Sequence, residues 1–377
     1  MFVDIHILQS VPPSNLNRDD TGSPKTATYG GVTRARVSSQ AWKRAVRKSY
    51  KAKLDASELG VRTKRALELL VERMQAKDES VTSEVAAQKA TTIIKALGMS
   101  VDEKKSKTQQ KAIDAGEPSR THLGTTQYLV FWSNRQLDRL ADLALSAGEK
   151  VTKREAAEAA DQEHGIDVAL FGRMVADAAD LNVDAAVQVA HALSTHAVTP
   201  EQDYYTAVDD QKVEEETGAG MIGTIEFSSS TLYRFATVDV EGLLANLGDA
   251  AATVRAVEAF VDSFATSMPT GKQNTFANRT VPDAVLVCVR EDQPVSLVGA
   301  FEEPVVSGGG FVRGSAERLA KEYQDVAAFL GAPSASFLAR KGDRTEAMDT
   351  IASSMPLATL VHAVGDTVRA SLDSAGS

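Results

Sequence analysis

Cysteine is nearly missing. The 377-residue chain has one, Cys288. That excludes an intramolecular disulfide framework and any zinc site built from linked cysteines. Cys288 stands in the apolar run DAVLVCVR, which predicts a buried strand thiol. The six histidines lack metal-ligand spacing: His191 and His196 are five apart, with no H-E-x-x-H arrangement. All six read as structural, and neither a metal nor a cofactor is expected. Walker, G-x-S-x-G and dinucleotide fingerprints are missing, and Gly308–Gly310 is too short a signal for a phosphate cradle. No run approaches the roughly 20 apolar residues that cross a bilayer. MFVDIHIL lacks the basic lead and long apolar stretch of a secretory signal, so the cytoplasm is the expected location. No internal repeat is evident.

Acidic residues outnumber basic ones, 51 to 41, and a positive excess is concentrated in one place. The chain sums to −10. Residues 1–53 nevertheless carry ten Lys/Arg against three Asp/Glu, a balance of +7, so the remaining 324 residues sum to −17. A basic segment in an acidic chain predicts a local polyanion site rather than indiscriminate nucleic-acid binding.

The expected organisation begins with a strand over 3–11, ended by Pro12-Pro13. A long loop over 14–31 follows, closed by Gly30-Gly31. Residues 32–38 read as a short strand or turn. A helix starts at Ser38 or Ser39 and runs to about Lys53. Trp42, Ala45, Val46, Ser49 and Tyr50 form its mostly apolar face, and Lys43, Arg44, Arg47, Lys48 and Lys51 the other. Residues 58–182 read as mainly helical, with a polar connection over 103–119. Residues 183–196 read as helix or returning strand, and 199–223 as an extended arm or hairpin. Strands are expected over 224–240, 283–290 and 294–305, with a helix over 251–268. With the helical stretch removed, the order is strand, helix, strand, strand, helix, strand. This is the α+β, ferredoxin-like pattern also used by RNA-recognition folds, whose sheet carries helices on one face and offers the other to RNA.

Several motifs recur in order: LNRDD (16–20), GG-x-x-R-x-R-x-SSQ (30–40), KRA-x-R (43–47), D-x-AL-x-GRM (167–174), AHA-x-x-TH (190–196), TAVDD (206–210), EFSS (226–229) and GKQ-x-T (271–275). In these the chain strongly resembles the CasC backbone subunits of type I-E CRISPR Cascade complexes, in the RAMP group of RNA-binding proteins. The final 70 residues are the weakest part of the match. The resemblance implies a discontinuous RRM-like palm (1–57 and 183–377), a helical fingers insertion (58–182) and a thumb (197–228). It implies CRISPR RNA, target DNA through guide pairing, neighbouring copies and other Cascade subunits as partners. Copies would stack along one guide, and cleavage would belong to a separate helicase–nuclease. An enzyme is therefore not expected.

Arg34, Arg36, Lys43, Arg44 and Arg47 can follow a phosphate backbone, and the helix start adds free N–H groups with Ser39 and Gln40 as side-chain donors. The competing reading is a solvated basic face. Trp42 and Tyr50 are expected in the core. Asn17 and Arg18 sit in the first loop as candidate RNA contacts, with contact to a neighbouring copy as the alternative for Arg18. Beside them, Asp19 and Asp20 read as turn acceptors, and the alternative is a metal-dependent ribonuclease of the RAMP fold that uses them. Met174 can wedge between unstacked bases or fill a core, and Arg173 can add a phosphate contact. On the thumb, Tyr205 is the favoured wedge over Tyr204, at roughly 1–3 kcal/mol per stacked base; packing against a neighbouring copy competes. Asp209, Asp210 and Glu214–Glu216 would face a partner or solvent. Lys272 and Gln273 occupy a polar loop at a sheet edge, as an RNA grip or a plain surface loop.

Overall fold

The computed structural model describes residues 1–102, 123–148, 150–175, 178–207, 221–306 and 308–375. These divide into two compact units. One comprises 1–50, 187–240 and 257–377; the other comprises 51–186 and 241–256.

The first unit opens with β1 (Phe2–Ser14). This strand runs through Pro12-Pro13 instead of stopping before them. Its register against a later strand shifts between Val11 and Ser14, and a proline's missing N–H is tolerated at such an irregular edge. β2 (Thr26–Tyr29) and β3 (Val32–Val37) follow. They form a hairpin: β3 is the short strand read over 32–38, and β2 lies where the sequence predicted a loop. Gly30 and Gly31 both have positive φ, 59° and 76°, as a two-residue type I′ turn requires. Then comes α1 (Ser39–Tyr50), which stops three residues earlier than expected. It buries Trp42, Ala45, Val46 and Tyr50, the stripe its periodicity predicts.

The second unit is helical around a core of Leu67, Leu70, Met74, Ile93, Trp132 and Leu140. It also contains strands that the helical reading missed. β4 (Gly60–Thr63) lies in GVRT, expected as helix, and β5 (Val101–Asp102) and β6 (Thr125–Thr126) are short. β7 (Val130–Ser133) pairs with β4, and β5 with β6. Capping boxes start two helices: Ser133 with Gln136 opens Asn134–Ser146, and Thr152 with Glu155 opens Lys153–Ala160.

Back in the first unit, β8 (Val187–Val189) and β9 (Ala192–Ser194) settle 183–196 as strand where regular. β10 (Glu201–Ala207) pairs with the start of β11 (Met221–Asp239), giving the two-stranded arm. β12 (Ala284–Arg290) and β13 (Ala335–Arg340) complete a sheet ordered β13-β12-β1-β11-β9-β3-β2, with β8 and β10 also on β11. The expected strand over 294–305 is a 3-10 turn at Val298–Phe301 instead.

Helices cover both faces of this sheet, not one. On the Leu8 face, Tyr233, Leu286 and Leu338 pack with Leu297, Phe301, Ala316 and Leu319. On the Ile7 face, Arg234 lies opposite Ile7 and meets Trp42 of α1 and Phe264 of helix Ala250–Thr266. The central strand therefore has no open face for RNA. Cys288 is buried as expected, and burial pushes its thiol up to about 12.

Asp4 is fully buried on the Leu8 face, where its Oδ2 accepts the Val295 N–H at 2.8 Å. Burial raises its carboxyl to about 6, against the opposing pull of Thr237, the Val295 N–H and Arg290. A carboxyl raised on folding penalises the native state fully above about pH 6, and the penalty fades as pH falls towards the unfolded value near 3.9. Asp4→Asn keeps an acceptor for Val295 and removes the charge. It is expected to stabilise the protein at neutral pH by up to about 3 kcal/mol. Its urea midpoint should also vary less with pH than the wild type's over the acidic range. A lower midpoint at neutral pH would refute this.

Candidate nucleic-acid interface

Five segments of the first unit converge at the start of α1. Ser38 caps that start, its Oγ accepting the Ala41 N–H at 3.3 Å. The Ser38 N–H is itself held by Asn17 Oδ1 at 2.8 Å, so the LNRDD loop is tied to the helix. The same loop is tied to the hairpin: Lys25 N–H donates to Asn17 O, and Arg36 N–H to Lys25 O, both at 2.9 Å. Asn15 Nδ2 donates to Gly22 O and to Glu226 O at the base of the arm, both at 2.9 Å. The GKQ loop lies directly on this layer. A Cβ on Gly271 would fall 2.2 Å from Leu16 O, so only glycine permits that approach. Lys272 follows in the left-handed region, φ 49°, and Phe276 sits with its ring 5.8 Å from that of Phe227 on β11.

The cations around this junction divide by burial. Arg18 and Arg44 are exposed, as are Gln40, Gln273 and Lys48; Arg36, Ser39, Lys43, Arg47, Asn17 and Lys272 are half-buried. Burial lowers the Lys43 ammonium below its ordinary value. Among the described residues, no carboxylate forms an ion pair with Arg18, Lys25, Arg36, Arg44, Lys48 or Lys272. Gln40, Arg44 and Lys48 recur at helical spacing on α1 and form one exposed stripe. Arg36 Nε donates to Thr26 O at 3.1 Å, and its Nη1 lies 3.3 Å from His191 Nδ1.

Two of the predicted contacts are structural. Arg34 is wholly buried. Its guanidinium donates to Tyr29 O, Ser194 O, Phe301 O and Glu302 O at 2.8–3.2 Å, which clamps the Gly30-Gly31 turn onto residues 301–302. Its donors serve carbonyls, not phosphate. Arg173, in the second unit, is 3% exposed. It donates to Leu181 O at 2.6 Å, Ala160 O at 3.1 Å and Asp161 Oδ1 at 3.0 Å, and burial pushes it down to about 10. Its chain partner Met174 is the reverse, 81% exposed. The bridge between Arg173 and Val183, with bonds of 2.9 and 2.8 Å, and the Val175 N–H bond to Asn182 Oδ1 hold it on a rigid pedestal. Core packing is thereby excluded for Met174.

On the arm, Tyr205 is opposite Gly223, and its ring lies where a Cβ on that glycine would be, 2.5–2.8 Å away. Tyr205 therefore rests partly on its own hairpin and is 37% exposed, while Tyr204 is 64% exposed. The arm's freer aromatic is Tyr204, not the favoured Tyr205. Asp209, Asp210 and Glu214–Glu216 lie outside the described residues, as does His122. Asp19 staples its loop: Oδ1 accepts the Thr21 N–H at 2.9 Å, the Thr21 hydroxyl at 2.7 Å and the Ser23 N–H at 3.0 Å. These bonds, led by the Thr21 hydroxyl, hold its carboxyl below the usual range. Among the described residues, no three His, Cys, Asp or Glu side chains group to hold a metal ion, and no helix is long and apolar enough to cross a membrane.

Sequence reasoning missed Lys25 and His191 as neighbours of Arg36. The missing signal was the β2–β3 hairpin, which places Lys25 beside Arg36.

No curated protein matches this chain. Among solved structures, a chain of a "CRISPR RNA-guided surveillance complex, pre-nicking" is 30% identical with a TM-score of 0.82, over 98% of this chain and 100% of that one. A second, from a "CRISPR RNA-guided surveillance complex", is 27% identical with a TM-score of 0.74, over 97% and 100%. The family model described as CT1975-like protein matches residues 3–363. Its span, with the full-length likeness to subunits of CRISPR RNA-guided surveillance complexes, means that the chain belongs to the CT1975-like family.

Proposed function

We propose that this chain is the RNA-gripping backbone subunit of a type I-E Cascade complex. Copies line up along one CRISPR RNA, bind its phosphates in short segments and leave the guide bases available for target DNA. Other Cascade subunits complete the assembly, and a separate nuclease cuts. The observation that carries this reading is the gathering, along α1 and around its start, of cations that form no ion pair with a carboxylate among the described residues, in a chain that is otherwise acidic. Arg18, Arg36, Arg44, Lys48 and Lys272 supply charge; Asn17, Ser39, Gln40 and Gln273 supply polar contacts; Lys43 and Arg47 flank them.

With the β2–β3 hairpin set aside, the order β1, α1, β8–β9, β11, helix Ala250–Thr266, β12 supports reading this unit as a βαββαβ, ferredoxin-like palm. The β10–β11 arm serves as thumb, and the helical second unit as fingers. Met174, exposed on its pedestal, and the arm tyrosines supply apolar and aromatic surface that unstacked bases can meet. Protein purified without nuclease treatment is expected to carry RNA of uniform length that stays intact with magnesium. RNA-free protein would overturn the reading.

A further inference from the structure

Arg36, Lys25 and His191 meet where β3 pairs with β9. His191 is exposed. Its Nδ1 lies 3.3 Å from Arg36 Nη1. A guanidinium can only donate, so Nδ1 accepts and the ring proton sits on Nε2. The charged groups acting on this imidazole are Arg36 from β3 and Lys25 from the segment before β2. No carboxylate of the described residues acts on it, and β8 and β9 contain no charged residue. Two cations are thus held beside this ring: the Arg36 N–H bonds Lys25 O, Arg36 Nε bonds Thr26 O, and Arg36 Nη1 faces Nδ1.

We infer that His191 is a further phosphate ligand of this chain, taking up one proton from solvent as a backbone phosphate of the RNA settles between it, Arg36 and Lys25. The inference rests on the RNA-binding reading above. Partial desolvation, then Arg36 and Lys25, hold the free imidazole below its ordinary value. Near neutral pH the free ring is therefore neutral. A phosphate reverses the sign of the local field and offers an acceptor to the charged ring. Protonation at Nδ1 ends the contact with Arg36 Nη1, which then also faces the anion. One Nδ1–H bond forms, the proton coming from hydronium or the buffer acid, whose own bond to that hydrogen breaks; no other covalent bond changes.

Among the described residues, the other histidines do not mimic this. His6, His164 and His196 are held low by burial, and His362 stands 3.4 Å from Glu258 on other elements.

The test uses full-length protein freed of RNA and a single-stranded RNA oligonucleotide. Affinity and binding heat are measured in buffers of different ionisation enthalpy between about pH 8 and about pH 6. The wild type is expected to take up a proton and to bind more tightly as pH falls, by at most about tenfold per pH unit. His191→Gln is expected to take up none and to show a flat profile. The His191 ring resonance, followed by NMR in the wild type, should titrate at higher pH with RNA than without, which does not depend on the variant folding. RNA binding without proton uptake, or with uptake retained in His191→Gln, overturns the inference and leaves the RNA-binding reading intact. Failure of the oligonucleotide to bind at any pH overturns both.

Discussion

Glutamate at Arg18, Arg36 and Arg44 together is expected to abolish RNA retention while leaving the fold in place. Arg18 and Arg44 are exposed and make no ion pair among the described residues, and Arg36 gives up only its bonds to Thr26 O and His191. Folding is therefore little affected. The effect on binding is large because each cation contributes a charge-assisted contact of roughly 1.5–3 kcal/mol. Three lost contacts reduce affinity at least about a thousandfold, and the three new carboxylates repel the same phosphates. The salt dependence also changes: with about 0.7 of a counterion released per single-strand phosphate, the log–log slope flattens by about 2. Filter binding across a salt series reads both quantities, and far-ultraviolet circular dichroism reads the fold. Unchanged retention in a folded triple variant would remove the phosphate track from the start of α1.

The helix face in that experiment was legible in the sequence because a 3.6-residue period sorts side chains locally. Trp42 and Tyr50 go inward and Arg44 and Lys48 outward, with no knowledge of the rest of the chain. Arg34 and Arg36 show where local sorting stops. They are two residues apart on β3, so strand alternation puts them on one face. Yet Arg34 is sealed under residues 301–302 and Arg36 is not. What separates them is a segment almost 270 residues away, which no spacing rule sees. Arg173 has the same character: a surface residue by type, buried because Ala160, Asp161 and Leu181 present acceptors to it. The β2 strand was hidden for another reason. TATY is short and its burial is slight, and only its pairing with β3 through the Gly30-Gly31 turn makes it a strand. The Asn15, Asn17 and Gly271 contacts that assemble the junction are likewise products of tertiary approach. The motifs marked those residues without saying what each one touches.

Removing the Arg234 side chain is expected to destabilise the protein more than any of the substitutions at Arg18, Arg36 and Arg44. Arg234 is completely buried and has no carboxylate partner among the described residues. Its guanidinium lies 3.7 Å from the Trp42 ring and 4.5 Å from that of Phe264, rings that meet edge to face at 73°. Nη1 donates to Gln9 Oε1 at 2.6 Å, and Nη2 donates to Phe264 O. One cation thus ties β1, β11, α1 and helix Ala250–Thr266 together, directly beneath the helix that carries Arg44 and Lys48. Burial pushes it down to about 9. A cation lowered on folding carries its desolvation penalty fully below that value, and the penalty eases as pH rises above it. The ring contacts and two acceptors offset that cost. Arg234→Ala leaves a void and two unpaired acceptors, an expected loss of about 3–5 kcal/mol. Arg234→Met refills most of the space but still strands Gln9 Oε1 and Phe264 O, for roughly 1–3 kcal/mol. The order wild type, Met, Ala in urea midpoint tests the account, because volume alone would place Met level with the wild type. A methionine variant as stable as the wild type would show that the buried guanidinium contributes nothing beyond its bulk, and that α1 is held to the sheet by packing alone.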